Sequence, residues 1–180
     1  TIDPPLVWAT FFGGSGNDQV WVIERSLDGF VYMLLETLSA DFPVLDSASL
    51  PWYQSTSGGT TDIGILKFND NGKLVWSSYY GGSGVDKPYN MFCNNTLVAI
   101  VGSTTSADLP TWTFPGAFND NTRNGSQDGF VVVFGKTAPF TDQRMWSTYI
   151  GGYSNYDAAW DVAFDNGMLY VIGQTYNDSA

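Results

Sequence analysis

One pattern occurs three times along this chain, and it restricts the fold more than any single motif does. Leu74-Val75-Trp76-Ser77-Ser78-Tyr79-Tyr80-Gly81-Gly82-Ser83-Gly84-Val85-Asp86 matches Leu6-Val7-Trp8-Ala9-Thr10-Phe11-Phe12-Gly13-Gly14-Ser15-Gly16-Asn17-Asp18. Arg144-Met145-Trp146-Ser147-Thr148-Tyr149-Ile150-Gly151-Gly152 repeats it, with Asp157 in the Asp place after one inserted residue. Trp8, Trp76 and Trp146 fall 68 and then 70 residues apart. A fixed period of this kind means one supersecondary unit, used repeatedly, that buries its apolar faces only against its neighbours.

Between the marks of that period, segments rich in Val, Ile, Tyr, Trp and Phe alternate with clusters of Gly, Asn, Asp and Ser. This is the pattern of short strands joined by tight turns, and almost nothing has helical spacing with caps. Four strand slots are expected per unit. The first is Asp62 to Phe68 and Asp128 to Phe134; the second is the Trp-containing strand that ends in Gly-Gly. The third contains Val20 to Ile23, Asn90 to Cys93 and Ala159 to Phe164; the fourth is Phe30 to Leu34, Leu97 to Gly102 and Met168 to Gly173. Hairpin turns are expected at Asp28-Gly29, Asn69 to Gly72, Asn94-Asn95 and Asp165 to Gly167, where Asn and Gly tolerate positive φ.

Four antiparallel strands joined by tight turns and repeated about an axis form a propeller blade. The fold class expected is therefore all-β: about three four-stranded antiparallel blades, the first lacking a strand, in an incomplete propeller. The units run 1–57, 58–124 and 125–180. The recurring Trp and Tyr would fill the seams between blades, each worth roughly 2–3 kcal/mol when buried. The glycine pairs would lie where backbones converge too closely for side chains.

At these residues the chain resembles the seven-bladed β-propeller repeat (SBBP) family. The likeness rests on Trp146-Ser147-Thr148-Tyr149-Ile150-Gly151-Gly152, on Leu169-Tyr170-Val171-Ile172-Gly173-Gln174-Thr175 and on Ser39-Ala40-Asp41-Phe42-Pro43, and it spans about Leu6 to Ala180. The resemblance implies a propeller fold and a secreted or surface-exposed protein, with no common catalytic activity. Two departures stand out: Pro88 lies early in a strand slot, and Asn94-Asn95 replaces the usual Asp-x-x-Gly turn.

Three blades cannot close a propeller, which typically needs four to eight. Open blade faces leave aromatic surface wet, and an unpaired strand edge invites another chain. Further blades of the same polypeptide, other copies of the chain, or a small non-propeller arrangement of the same strands would each resolve this. The sequence breaks off inside the repeated pattern, so it is expected to be a processed chain or a fragment.

Charge and residue types narrow the chemistry. The chain has 7 basic and 18 acidic residues, a net charge of −11, and no histidine. Nucleic acid is not an expected partner, because phosphate binding needs clustered Lys and Arg. No apolar run approaches the roughly 20 residues of a membrane span, so no membrane insertion is expected. Cys93 is the only cysteine, which excludes an internal disulfide, and its neighbours Met91 and Phe92 suit a small buried strand residue. Without histidine there is no Ser-His or Cys-His pair. The acids recur at turn positions (Asp18, Asp86 and Asp157 after Gly-Gly, Asp41 and Asp108 before Pro), which suits backbone bonding in every unit rather than catalysis.

The remaining candidates are few. Asp120 and Asp128, and separately Asp70, sit in Asn- and Asp-rich turns that offer the hard oxygen ligands calcium prefers, although neither turn fits the twelve-residue calcium loop. No other cofactor is expected. Asn94, Asn124 and Asn177 head glycosylation sequons in turns. Trp52 and Trp112, in Pro-flanked loops, are candidates for stacking on a sugar, or for covering the seam between units. The leading expectation is a non-enzymatic extracellular module with a structural or assembly role in a surface protein or filament. Its partners would be other copies or further blades. The alternative is a carbohydrate- or protein-binding propeller module of adhesin or lectin type.

Overall fold

A computed structural model describes residues 6–46, 52–136, 144–153 and 156–176. Among these residues there is no helix. Ten strands follow one another: β1 Asp18–Arg25, β2 Val31–Thr37, β3 Asp62–Phe68, β4 Leu74–Tyr80, β5 Asp86–Cys93, β6 Leu97–Thr104, β7 Asp128–Gly135, β8 Arg144–Ile150, β9 Ala158–Asp165 and β10 Met168–Gln174. They form three antiparallel sheets, β1-β2-β3-β4, β5-β6-β7-β8 and β9-β10, each a simple meander, and none is closed.

The turns follow the local chemistry. Gly72 at φ 72° closes the β3–β4 turn on Asn69, whose side-chain oxygen also accepts from the Asn71 and Lys73 amides. Gly29 at φ 91° serves the β1–β2 turn, and Asn166 with Gly167 takes positive φ at both central positions of the β9–β10 hairpin. The Asn94-Asn95 departure still makes a turn, because Asn94 Oδ1 accepts from the Thr96 and Leu97 amides. Pro88 lies on the edge strand β5 directly before a bulge, a place where a missing donor is tolerated.

The sheets pack face to face, β5 against β1, β2 and β3, and β9 against β5, β6 and β7. Tyr32, Leu34, Ile65, Trp76 and Tyr80 of the first sheet meet Ile100, Phe130, Val132, Phe134 and Tyr149 of the second. The second sheet's other face, with Ala99, Val101 and Val131, meets Ala159 and Val162 of the third. Covered on both sides, β6 and β7 are buried at every residue, which is why they read as unbroken apolar runs rather than alternating ones. The seam aromatics are where the repeat places them, with Trp76 and Tyr80 buried between sheets.

Two expectations are corrected. The first sheet does not lack a strand: the first two sheets have four each, and the third has two among the described residues. The Trp8 segment, expected as a strand, is not one. A strand needs a hydrogen-bonding neighbour, and among the described residues none stands beside residues 6–12 to pair with them. Residues 6–12 instead lay Trp8 and Phe12 on the outer face of the first sheet, against Phe42 and Phe68. The sheets also run out of phase with the repeat units. Each of the first two joins the last two slots of one unit to the first two of the next, so the breaks between sheets fall at the Gly-Gly loops.

Candidate functional site

The recurring acids come together in those loops, and the first two copies make the same bonds. Asp86 Oδ2 accepts from the Gly82 amide at 2.8 Å and from Ser106 Oγ at 2.8 Å. Asp108 Oδ1 accepts from both the amide and hydroxyl of Ser83, and Ser106 Oγ accepts from the Gly84 amide. In the first copy Asp18, Asp41, Ser39, Gly14, Ser15 and Gly16 make the same set, at 2.7–2.9 Å. The third copy repeats the Gly152 amide to Asp157 bond at 2.8 Å. These backbone bonds hold Asp41 and Asp108 below the ordinary carboxylate range.

A second acid stands behind the second and third of these loops. Asp62 accepts from the Gly58 and Gly59 amides, and Asp128 from the Asn124 and Gly125 amides. Gly81 passes between Asp62 and Asp86, and Gly151 between Asp128 and Asp157, so close that a Cβ at either glycine would collide with the carboxyls. Backbone convergence here is between carboxylates at the crossing from one sheet to the next. Burial pushes Asp62 up to about 6, with Asp86 beside it adding to the rise, and burial likewise raises Asp86 and Asp128. At 1%, 0% and 0% exposure, Asp62, Asp86 and Asp128 are buried within the loops they anchor.

The calcium candidates are divided by the fold. Asp70 is exposed on the β3–β4 turn and pairs with Arg25 at 3.1 Å. Asp120 accepts from the Thr122 amide and from Asn124 Nδ2, while Asp128 is committed to its loop. Among the described residues no three His, Cys, Asp or Glu side chains converge as a metal site would require. Of the sequons, Asn94 and Asn124 are half-buried in turns, with the Asn124 amide nitrogen bonded to Asp120; Asn177 lies outside the described residues. Cys93 is half-buried in β5, and burial pushes its thiol up.

Trp52 lies in the seam between the first two sheets, edge-on to Tyr80 at 5.8 Å and donating to the Tyr79 carbonyl. Trp112 makes two backbone bonds to Ser147 on the outer edge of β8, and the residue is 45% exposed. Loops of this kind also protect the outer edge of β4, where Leu45 makes the same pair of bonds to Ser77.

A different set of aromatics forms an accessible stacked surface, and the sequence pattern alone did not reveal it. Trp21, Tyr89 and Trp160 each stand three residues after the loop aspartate, on the first strand of each sheet. In all three strands this residue is the one the pairing skips: the register slips between Val20 and Val22, between Pro88 and Asn90, and opposite Ile172 and Gly173. A bulge re-aims the extra side chain, and three bulges in step send three rings to one line. Tyr89 stacks on Trp160 at 4.3 Å and 19°, and Trp21 meets Tyr89 edge-on at 5.9 Å. Ser103 Oγ shares a hydrogen bond with the Tyr89 hydroxyl at 2.9 Å, and Asn90 donates to Asp161 beside the ladder. Trp21 and Trp160 keep 43% and 44% of their surface exposed. Such a line of rings can stack on a flat apolar partner while the neighbouring amide and carboxylate bond its edges.

Compared with known families and with curated proteins, the chain matches no family model and no curated protein.

Proposed function

We propose that this chain is a run of β-propeller blades of the seven-bladed repeat kind. It acts as a non-enzymatic structural module of an extracellular or cell-surface protein, and its open flanks are closed by further blades, from the same polypeptide or from other copies. One observation carries the reading: a single interface is used at successive places along the chain. Tyr80 meets Phe134 across the first seam at 5.9 Å and 89°, and Phe12 meets Phe68 on the outer face of the first sheet at 6.1 Å and 87°. Phe12 and Phe68 are the repeat equivalents of Tyr80 and Phe134, so a piece of a preceding blade sits where a whole blade would sit. At the other flank, Met168, Tyr170 and Ile172 of β10 are 50–65% exposed, on the face that in β6 is buried by the next sheet.

The acidic surface, with its net charge of −11, keeps such a module soluble and away from anionic partners. Light scattering across a concentration series, with electron microscopy of the same samples, tests the proposal. Concentration-dependent rings or fibres are expected. A compact monomer at every concentration, with β10 amides already protected from exchange, would refute it.

A second reading has its own observation, the exposed ladder of Trp21, Tyr89 and Trp160. It supports a carbohydrate-binding role on the first strands, away from Trp52 and Trp112. Glycan binding that disappears in Trp160→Ala and persists in Trp112→Ala would favour it.

A further inference from the structure

The two complete sheets share a rule at one cross-strand position. Where the second strand pairs with the third, one residue is glycine and its partner is large. In the first sheet the pair is Leu35 with Gly64; in the second it is Gly102 with Phe130. These positions are equivalent in the repeat, so glycine and bulk have changed strands while the sum is kept. The contacts explain why. A Cβ on Gly64 would lie 2.8 Å from Leu35 Cδ1, and one on Gly102 would lie 2.8 Å from Phe130 Cε1. In each sheet the large side chain lies over the bare backbone opposite it, which leaves room for only one of the two to be large.

β10 has Gly173 at this position, aligned through Val171-Ile172-Gly173 with Ile100-Val101-Gly102. Gly173 also approaches the Ala158 carbonyl, as Gly102 approaches that of Lys87. Among the described residues β10 pairs only with β9. Beside Gly173 is an open cleft of about 340 Å³, lined by Ile150, Ala158, Ala159 and Val171. The cleft corresponds to the place Phe130 fills one sheet earlier. Phe130 packs there against Tyr80, the last residue of β4, and Ile150 is the last residue of β8.

We infer that the outer edge of β10 receives a β-hairpin whose first strand begins with Asp and has a large apolar residue, of Phe type, two positions later. That residue sits opposite Gly173 and fills the cleft against Ile150. The partner is thus a hairpin like β7–β8 (Asp128-Gly129-Phe130), and not one like β3–β4 (Asp62-Ile63-Gly64), which would set glycine against glycine and leave the cleft empty. Strand addition of this kind gains affinity from main-chain bonds and selectivity from the side-chain seat. The inference rests on the proposed blade-on-blade assembly and specifies its partner.

The test uses the full chain with three synthetic peptides: residues 125–153, the same peptide with Phe130→Gly, and residues 58–82. Changing the peptide rather than Gly173 avoids a collision with the Ala158 carbonyl that would disturb the chain itself. Titration calorimetry gives affinity, and hydrogen exchange over Met168–Gln174 locates binding. The 125–153 peptide is expected to bind and protect β10, and the other two to bind at least about thirtyfold more weakly. Equal binding by all three would overturn the pairing rule and leave assembly through β10 standing. No binding and no protection by any peptide would overturn both.

Discussion

Tyr79→Phe is the substitution whose effect follows most directly from the repeated geometry. Tyr79 is fully buried, and its hydroxyl accepts from the Phe42 amide at 2.9 Å and donates to the Ser39 carbonyl at 2.7 Å. Tyr149 does the same one unit later, accepting from Leu109 and donating to Ser106, both at 2.9 Å. Burial raises both phenols, Tyr149 to about 12, so each is a neutral donor at ordinary pH. Phenylalanine keeps the ring and its packing on Phe42, so the loss is confined to the two bonds. The Phe42 and Leu109 amides are left buried, and an unpaired buried donor costs about 1–3 kcal/mol. The carbonyls, with two lone pairs, tolerate the loss better. Each substitution should therefore destabilise by roughly 2–3 kcal/mol. Urea unfolding followed by tryptophan fluorescence should show a midpoint shift of about 1 M for each. The two tyrosines lie in different clusters and share no partner, so the double variant should add them. A loss below about 0.5 kcal/mol in either variant, or losses differing more than about twofold, would refute the claim that the units are energetically equivalent.

Three further perturbations address other features. Lys136→Met removes a 4% exposed ammonium that reaches Asp28 at 2.8 Å, Ser26 Oγ at 2.6 Å and the Asn94 carbonyl at 2.7 Å; because Asp28 can rehydrate, a loss of about 2–3 kcal/mol in urea unfolding is expected. Burial alone would raise Asp28, but hydrogen bonds from Lys136 and Ser26 outweigh it and hold the carboxyl below its ordinary value, so this contribution is present at neutral pH and should fade on acidification in the native chain but not in the variant. Asp62 has the opposite sign: its folded value of about 6 lies above the ordinary 3.8, the native state binds the extra proton between them, and stability should fall as pH rises from 4 to 6, a slope that Asp62→Asn should flatten in melting curves. Gly81→Ala should destabilise strongly by driving a methyl between Asp62 and Asp86, whereas Gly167→Ala, with open space around it, should show only the smaller strain of its φ of 81°; thermal melts compare the two.

The strands were legible because each slot repeats with its turn chemistry intact, from Asn69 to Gly72 and from Asp165 to Gly167. The phase of the sheets was not. A period has no intrinsic origin, and the long loops between β2 and β3 and between β6 and β7 look like natural boundaries. Yet those loops wrap the outer edges of β4 and β8 and return to the same sheet, as the Leu45 to Ser77 and Trp112 to Ser147 bonds record. The Gly-Gly loops, which look like turns, are the crossings between sheets. The ladder of Trp21, Tyr89 and Trp160 was hidden for a related reason. Its spacing from Asp18, Asp86 and Asp157 is plain, but the side of the strand each ring occupies depends on a bulge, and a bulge exists only once two strands are paired. The acids were readable as loop anchors, because a residue that bonds the backbone of a turn recurs wherever that turn does.

How the sheet edges are protected bears on the proposal that β10 receives a further strand. β1 and β5 are edge strands broken by bulges, and β9 has the same device. β4 and β8 are covered by returning loops. β10 has neither protection along its outer edge among the described residues, and it adds Met168, Tyr170 and Ile172 on one face and a glycine-floored cleft on the other. Burying side chains of this size gains about 1.5–3 kcal/mol each, so leaving three half-wet forgoes stability that the other sheets collect. A bare edge alone would be an aggregation hazard. A bare edge whose one glycine matches the large residue of a particular hairpin would instead be selective, and that selectivity is what the proposed assembly requires.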